Sequence, residues 1–176
     1  VAEMITIAKK LTDKEAGTFG LAYDASDLYF HAAWLHAYGG KVFDEKARTL
    51  AINSPEAVAA VEAVRDLHKK HKVLPKGMQG FVITAMFNEG KVGMVFNGPW
   101  FLSEIEKGVS FGVAVLPEVA PGKPMKPYLG SEAIMLSAKT KVRAAALLVA
   151  DYLTSDEAAL TRITMGRQLV ANRKIY

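Results

Sequence analysis

A chain of 176 residues, 51% of them hydrophobic, is long enough to bury about 70% of its unfolded surface in a core; its 14 Gly and 7 Pro are ordinary counts that exclude collagen-like and disordered readings. The absence of cysteine excludes disulfide scaffolds, thiolate zinc sites, iron–sulfur ligation and thiol catalysis. The charge of +4, from 22 Lys and Arg against 18 Asp and Glu, is scattered rather than gathered into the basic stripe or motif of a nucleic-acid binder.

No apolar stretch approaches the roughly 18 residues that a membrane-crossing helix needs. The opening Val1-Ala2-Glu3-Met4 has no initiator methionine and lacks the basic and apolar regions of a signal peptide, which leads us to expect a processed or excised piece.

Met4, Ile5, Ala8 and Leu11 predict an opening helix, broken by Gly17. Phe19-Gly20-Leu21-Ala22-Tyr23 reads as a short buried strand. Ser26 or Asp27 offers an N-cap for a helix over about 27–38, stopped by Gly39-Gly40 and apolar nearly all round. The clearest helix start is Ser54-Pro55-Glu56: a capping hydroxyl, a proline suited to the first turn, and a carboxylate at the positive end of the dipole. Val58, Val61, Val64 and Leu67 follow at intervals of three as the expected core stripe, and Pro75 and Gly77 close the segment.

A further helix is expected over 80–88, then an uncharged strand Val92–Phe96, a turn at Asn97-Gly98-Pro99-Trp100 and a short helix to Lys107. Phe111–Val115 reads as a strand. The stretch from Pro117 to Pro127, rich in proline, is the expected linker. A strand near 132–137, a helix near 141–153, and a capping box at Thr154-Ser155-Asp156-Glu157 opening a last helix complete the pattern. Alternating strands and helices give an α/β fold class.

Enzymatic motifs find little support. Gly122-Lys123 and Gly90-Lys91 lack the glycine five residues upstream and the following Ser or Thr of a phosphate loop, and no Gly-x-Gly-x-x-Gly occurs. Gly130-Ser131-Glu132 puts its serine next to its glycine rather than two residues on. His68 and His71, three apart among Lys69, Lys70 and Lys72, fit a solvated polar face better than a metal site, so neither metal nor cofactor is expected.

What remains is an aromatic and polar set at element ends: Asp27, Tyr29 and Phe30 at one helix start, and Trp100 after a turn. Spacing alone leaves two readings open, a packed core or the lining of a cleft. In a cleft the rings would stack on the C–H face of a sugar, with Asp27 or Glu132 accepting from its hydroxyls.

The run Ala85-Met86-Phe87-Asn88-Glu89-Gly90-Lys91-Val92-Gly93-Met94-Val95-Phe96-Asn97-Gly98-Pro99-Trp100 resembles a characteristic block of the maltose/maltodextrin-binding proteins. Asp27–Phe30, Tyr38-Gly39-Gly40, Phe111–Pro117 and Ala150–Glu157 are similar to further segments of that family, in order along nearly the whole chain. The resemblance implies a lobe of the type II periplasmic-binding-protein fold, a three-layer α/β/α arrangement incomplete relative to the bilobal receptor. Residues 1–128 would supply most of the carboxy-terminal lobe. Residues 129–176 would supply a hinge-crossing strand and helices that belong to the amino-terminal lobe.

The resemblance also implies a non-enzymatic receptor that binds maltose, maltodextrin or a related α-glucoside outside the cytoplasm, periplasmic or lipid-anchored. It would deliver the sugar to the membrane permease of an importer driven by ATP hydrolysis. Tyr29 and Trp100 match stacking aromatics, Phe30 a neighbouring contact, and Asp27 a position where the family commonly has Glu; Glu132 is assigned from its place where the chain crosses between lobes. The missing lobe, or a second chain, would complete the cleft. The rival readings are the effector domain of a transcription regulator and a glycosidase with Asp27 and Glu132 as paired carboxylates.

Overall fold

The computed structural model describes residues 1–175. The chain divides into two compact units, one formed by Val1–Asn97 with Ile105–Tyr128, the other by Gly98–Glu104 with the chain from Leu129 onward.

In the first unit, helix α1 (Ala2–Leu11) buries Met4 and Ala8, one turn apart on one face. Segment 19–23 then runs through the interior. Its backbone pairs on one side with Val73, through the Leu21 N–H and the Val73 carbonyl at 3.2 Å. On the other side it pairs in parallel with 92–95, through bridges Phe19–Val92 and Ala22–Val95. Side chains alternate across this extended stretch. Leu21 and Tyr23 therefore face one core with Met4, Ala8, Trp34, Ala60, Val64 and Leu67, while Ala22 faces a second with Ile83 and Val92. Helices thus cover both faces of this bridged stretch, the α/β/α layering that the resemblance implies. Gly20 is required there, because a Cβ would drive into the backbone of Ala8.

Helix α2 (Leu28–Ala37) packs on α3 (Pro55–Lys69). Trp34 is fully buried, and Ala32, Ala33, Leu35 and Ala37 are buried with it, as an all-apolar helix demands. Ser54 caps α3, its hydroxyl accepting from the Ala57 N–H at 3.3 Å. The buried stripe of α3 is Ala57, Ala60, Val64 and Leu67. This corrects the expected one: Val58 and Val61 are 49% and 55% exposed. Steps of three residues fall about 60° short of a full turn, so Val58 and Leu67 stand on opposite sides of the helix.

Helix α4 (Gly80–Asn88) contributes Ile83 to the second core. Two small hairpins were not foreseen. Strand β1 (Phe43–Asp44) pairs with β2 (Thr49–Leu50), and β3 (Glu118–Ala120) pairs with β4 (Lys123–Pro124). The second hairpin occupies the proline-rich stretch expected to be a linker, and Met125 beyond it is buried in the main core.

Two expected strands, 111–115 and 132–137, form no ladder, and Val113, Val115 and Met135 are 82%, 95% and 87% exposed. A strand is defined by a partner, and no described residue of this chain supplies one.

The second unit holds a 3₁₀ turn at Pro99–Ser103, helix α5 (Arg143–Leu153), helix α6 (Asp156–Thr164) and a 3₁₀ turn at Arg173–Ile175. The cap of α6 is Ser155, whose hydroxyl accepts from Ala158 N–H at 3.2 Å. Thr154 instead closes the preceding helix, its hydroxyl donating to the carbonyls of Ala150 and Asp151. The reciprocal capping box is therefore not the device used. Phe101, Ala158 and Ala159 are the buried apolar residues of this unit, and α5 buries none of its own. Among the described residues no helix is long and apolar enough to cross a membrane.

Candidate ligand-binding site

Three of the expected residues come together at the start of α2. Asp27 is the N-cap: its Oδ1 accepts from the Tyr29 N–H at 2.8 Å, and its carbonyl accepts from the His31 N–H at 3.0 Å. Cap and dipole both favour a carboxylate at this end of a helix. One Asp27 oxygen is therefore committed to the helix, while the residue stays exposed. The loop before it is held by Asp24, whose Oδ1 accepts from both the N–H and the hydroxyl of Ser26.

The cap fixes the first turn and so the direction of the next two side chains. Tyr29 is 37% exposed and meets Phe30 edge to face, with ring centroids 5.6 Å apart at 81°. An edge-to-face pair of this kind restricts the orientation of both rings. Two rings outside the expected set join them. Tyr128 lies 5.8 Å from Tyr29 at 44°, and His36 lies 5.4 Å from Tyr128 at 83°. His36 Nδ1 in turn hydrogen-bonds the Lys126 carbonyl at 2.7 Å. No local pattern could have found Tyr128, which meets α2 only through the fold.

Below the rings the core is polar in an unusual way. Tyr23 Oη, His31 Nε2 and Trp34 Nε1 are buried with no hydrogen-bond partner among the described residues. Burial pushes the Tyr23 phenol up and the His31 imidazole down, each toward its neutral form. Phe96 lies against both large rings, 5.5 Å from Tyr23 and 6.2 Å from Trp34.

Trp100 belongs to the second unit, on the 3₁₀ turn after Pro99. Its indole folds back on the main chain, so a Cβ on Gly98 would collide with the six-membered ring. The Ser103 hydroxyl donates to the Trp100 carbonyl at 2.7 Å and tightens the turn. The ring is 40% exposed. Glu132 is also in the second unit, exposed on the stretch that forms no ladder.

Other candidates are absorbed by the fold or left without chemistry. His68 is half-buried and its Nδ1 bonds the Leu74 carbonyl at 2.8 Å, so it fastens the end of α3 rather than sitting on a solvated face. His71 is held below its ordinary value first by burial, then by Lys9 and Lys70. Gly108-Val109-Ser110-Phe111-Gly112 spells a Gly-x-Ser-x-Gly pattern. Ser110 is nevertheless exposed on a stretch with neither a strand before it nor a helix after it, so the strained elbow that activates such a serine is absent. A shallow groove of about 230 Å³ at the far end of α2, lined by His36, Tyr38, Lys123 and Lys126 among others, contains none of the expected contact residues.

Comparison with known proteins gives the context. The family described as bacterial extracellular solute-binding protein matches over residues 2–160. A maltose/maltodextrin-binding domain from Bdellovibrio bacteriovorus, solved with maltotriose, superposes with a TM-score of 0.88 at 25% identity, covering 99% of this chain and 48% of that one. The maltose-maltodextrin binding protein of Alicyclobacillus acidocaldarius gives 0.85 at 30% identity, covering 99% and 47%. A galactooligosaccharide-binding protein of Bacillus subtilis is 24% identical over 98% of this chain and 43% of its own length. The chain thus spans about half the length of the relatives it matches, and its fold is that of the type II periplasmic binding proteins.

Proposed function

The chain belongs to the bacterial extracellular solute-binding protein family, and we propose that it is the sugar-contacting part of a receptor that feeds an importer driven by ATP hydrolysis. The ligand is maltose, maltodextrin or a related α-glucoside. Tyr29 and Trp100 stack on sugar rings, Phe30 flanks the first of them, and Asp27 and Glu132 accept from hydroxyls. Asp27 does so with Oδ2, since Oδ1 is engaged in the helix cap. The observation that supports this most is the half-exposed Tyr29 ring held by Phe30 and by the Asp27 cap, in a fold shared with a maltotriose-bound protein. Stacking needs a ring that is held and still accessible, and this one is 37% exposed.

Residues 1–128 form most of the carboxy-terminal lobe in this reading, and 129–176 cross to the amino-terminal lobe. The rest of that lobe, or a second chain, closes the cleft, and closure presents the loaded receptor to a membrane permease. The place of action is extracytoplasmic, periplasmic or tethered by a lipid. The role is binding without catalysis.

Because the chain covers about half of such a receptor, it binds weakly by itself. Calorimetry and ring-proton NMR with maltose, maltotriose and trehalose test this. The expected result is a weak, saturable shift of the Tyr29 and Trp100 ring signals, removed by Tyr29→Ala and Trp100→Ala. Sub-micromolar binding by the isolated monomer would overturn the half-cleft reading. No saturable shift with any of the three sugars would overturn the assignment of these rings to sugar.

A further inference from the structure

The main-chain segment that ends the first unit is clamped residue by residue. Met125 is buried in the core and its N–H reaches the Pro117 carbonyl at 3.4 Å. The Lys126 carbonyl is held by His36 Nδ1 at 2.7 Å. Pro127 fixes its own φ and restrains Lys126 to extended backbone. Tyr128, the last residue of the unit, is therefore delivered to one place, and its ring lies between Tyr29 and His36 at 5.8 and 5.4 Å.

Tyr29 and His36 are seven residues apart, two turns along α2, so they project from one side of that helix. Tyr128 fills the space between them as a wedge. Tyr29 is thus bounded by Phe30 from its own helix and by Tyr128 from a segment 99 residues later in the chain. A long-range ring contact of this kind does little for global stability when the ring is 36% exposed, but it restricts the orientation of its neighbour.

We propose that Tyr128 is a positioning residue for Tyr29: it holds that ring in the orientation that stacks on a sugar, and ties it to the point where the chain leaves the first unit. The sugar part of the statement rests on the function proposed above. The contact is made by the ring and not by the phenol oxygen, so phenylalanine replaces tyrosine here and smaller or non-aromatic side chains do not.

The test reads the Tyr29 ring directly. In the sugar-free chain its proton signals are assigned by their loss in Tyr29→Phe. Tyr128→Ala and Tyr128→Leu are expected to shift those signals, by removing the neighbouring ring current, and to leave the thermal midpoint and the Trp34 emission unchanged. Tyr128→Phe is expected to leave them in place. Unchanged Tyr29 signals in both Tyr128→Ala and Tyr128→Leu would overturn the proposal.

A maltotriose titration then separates the two claims. The expected result is affinity lowered about two- to ten-fold by Tyr128→Ala and Tyr128→Leu, the worth of one aromatic contact, with recovery in Tyr128→Phe. Equal affinity in all four proteins, with saturable shifts in each, would overturn the positioning role while sparing the sugar reading. An absence of saturable shifts in the parent chain would overturn the sugar reading, and the ring signals alone would then decide whether Tyr128 orients Tyr29.

Discussion

Helices α3 and α5 are both rich in Ala, Val and Leu, yet their surroundings differ. Helix α3 buries Ala57, Ala60, Val64 and Leu67; α5 carries Leu147, Leu148, Val149 and Leu153 and buries none of its residues. The same contrast holds for the extended segments. Residues 19–23 have pairing partners on both sides and are buried through Leu21, Ala22 and Tyr23, while 111–115 and 132–137 have none among the described residues and expose Val113, Val115 and Met135. Apolar composition announces that a surface is to be covered; it does not say by which residues. The first unit carries its own cover, whereas the apolar face of α5 stays open among the described residues.

The largest expected effect tests whether the first unit is self-sufficient. Trp34 is its largest fully buried side chain, so Trp34→Ala is expected to cost about 3–5 kcal/mol, the usual range for emptying an aromatic site. Trp34→Phe is expected to cost far less, because it keeps most of the packing and removes the unpartnered indole N–H. Urea unfolding followed by far-ultraviolet circular dichroism measures both. Equal losses for the two variants would mean that the indole N–H has a partner and that the site depends on it.

A smaller loss is expected from Gly20→Ala. The added methyl meets the backbone of Ala8 rather than a side chain that can swing away, so α1 must shift bodily from segment 19–23. Overpacking of this sort costs about 1–3 kcal/mol. Gly112→Ala makes the control: nothing lies near that Cβ, and its midpoint is expected to stay at the parent value.

Legibility from sequence followed the range of the interaction. Caps are local, so Ser54 could be read from a few letters and the second cap narrowed to Ser26 or Asp27, of which the structure uses Asp27. The face of α3 is harder to read: Val58, Val61, Val64 and Leu67 recur every three residues, but the 3.6-residue turn selects Ala57 and Ala60 over Val58 and Val61. The hairpin at Phe43–Leu50 rests on Asp44, whose Oδ1 accepts from the N–H groups of Lys46 and Ala47, and on Arg48 in the left-handed region at φ 54°. That turn chemistry is present in the letters but has no Gly or Pro to advertise it. Tyr128 was out of reach altogether, because a contact between residues 29 and 128 exists only once the first unit has folded. Strands 111–115 and 132–137 show the reverse failure: their alternating or apolar letters are strand-like, but pairing is a property of two segments.

A pH experiment sharpens the contrast further. His31 is buried and its imidazole is held below the ordinary 6.5 by desolvation. The unfolded chain therefore takes up a proton at a higher pH than the folded one, and stability must fall as pH drops below about 6.5 toward the lower folded value. His31→Phe is expected to flatten that limb of the Tm-against-pH curve. An unaltered slope in His31→Phe would show that the acid sensitivity arises elsewhere, with His71, shifted in the same direction, as the next group to replace.

The smallest effect is expected at α5, and it bears hardest on the comparison. The two tryptophans fall one in each unit, so Trp100→Phe leaves Trp34 as a reporter of the first unit alone. In that background Leu148→Ser, at a side chain 72% exposed, removes no packed contact and should change the urea midpoint by no more than about 0.5 kcal/mol. Its consequence should appear in self-association instead. Exposed apolar surface favours association, so sedimentation at rising concentration should show less of it in Leu148→Ser than in the parent. A loss of more than about 1 kcal/mol in the Trp34 signal would mean that α5 is part of the same cooperative core.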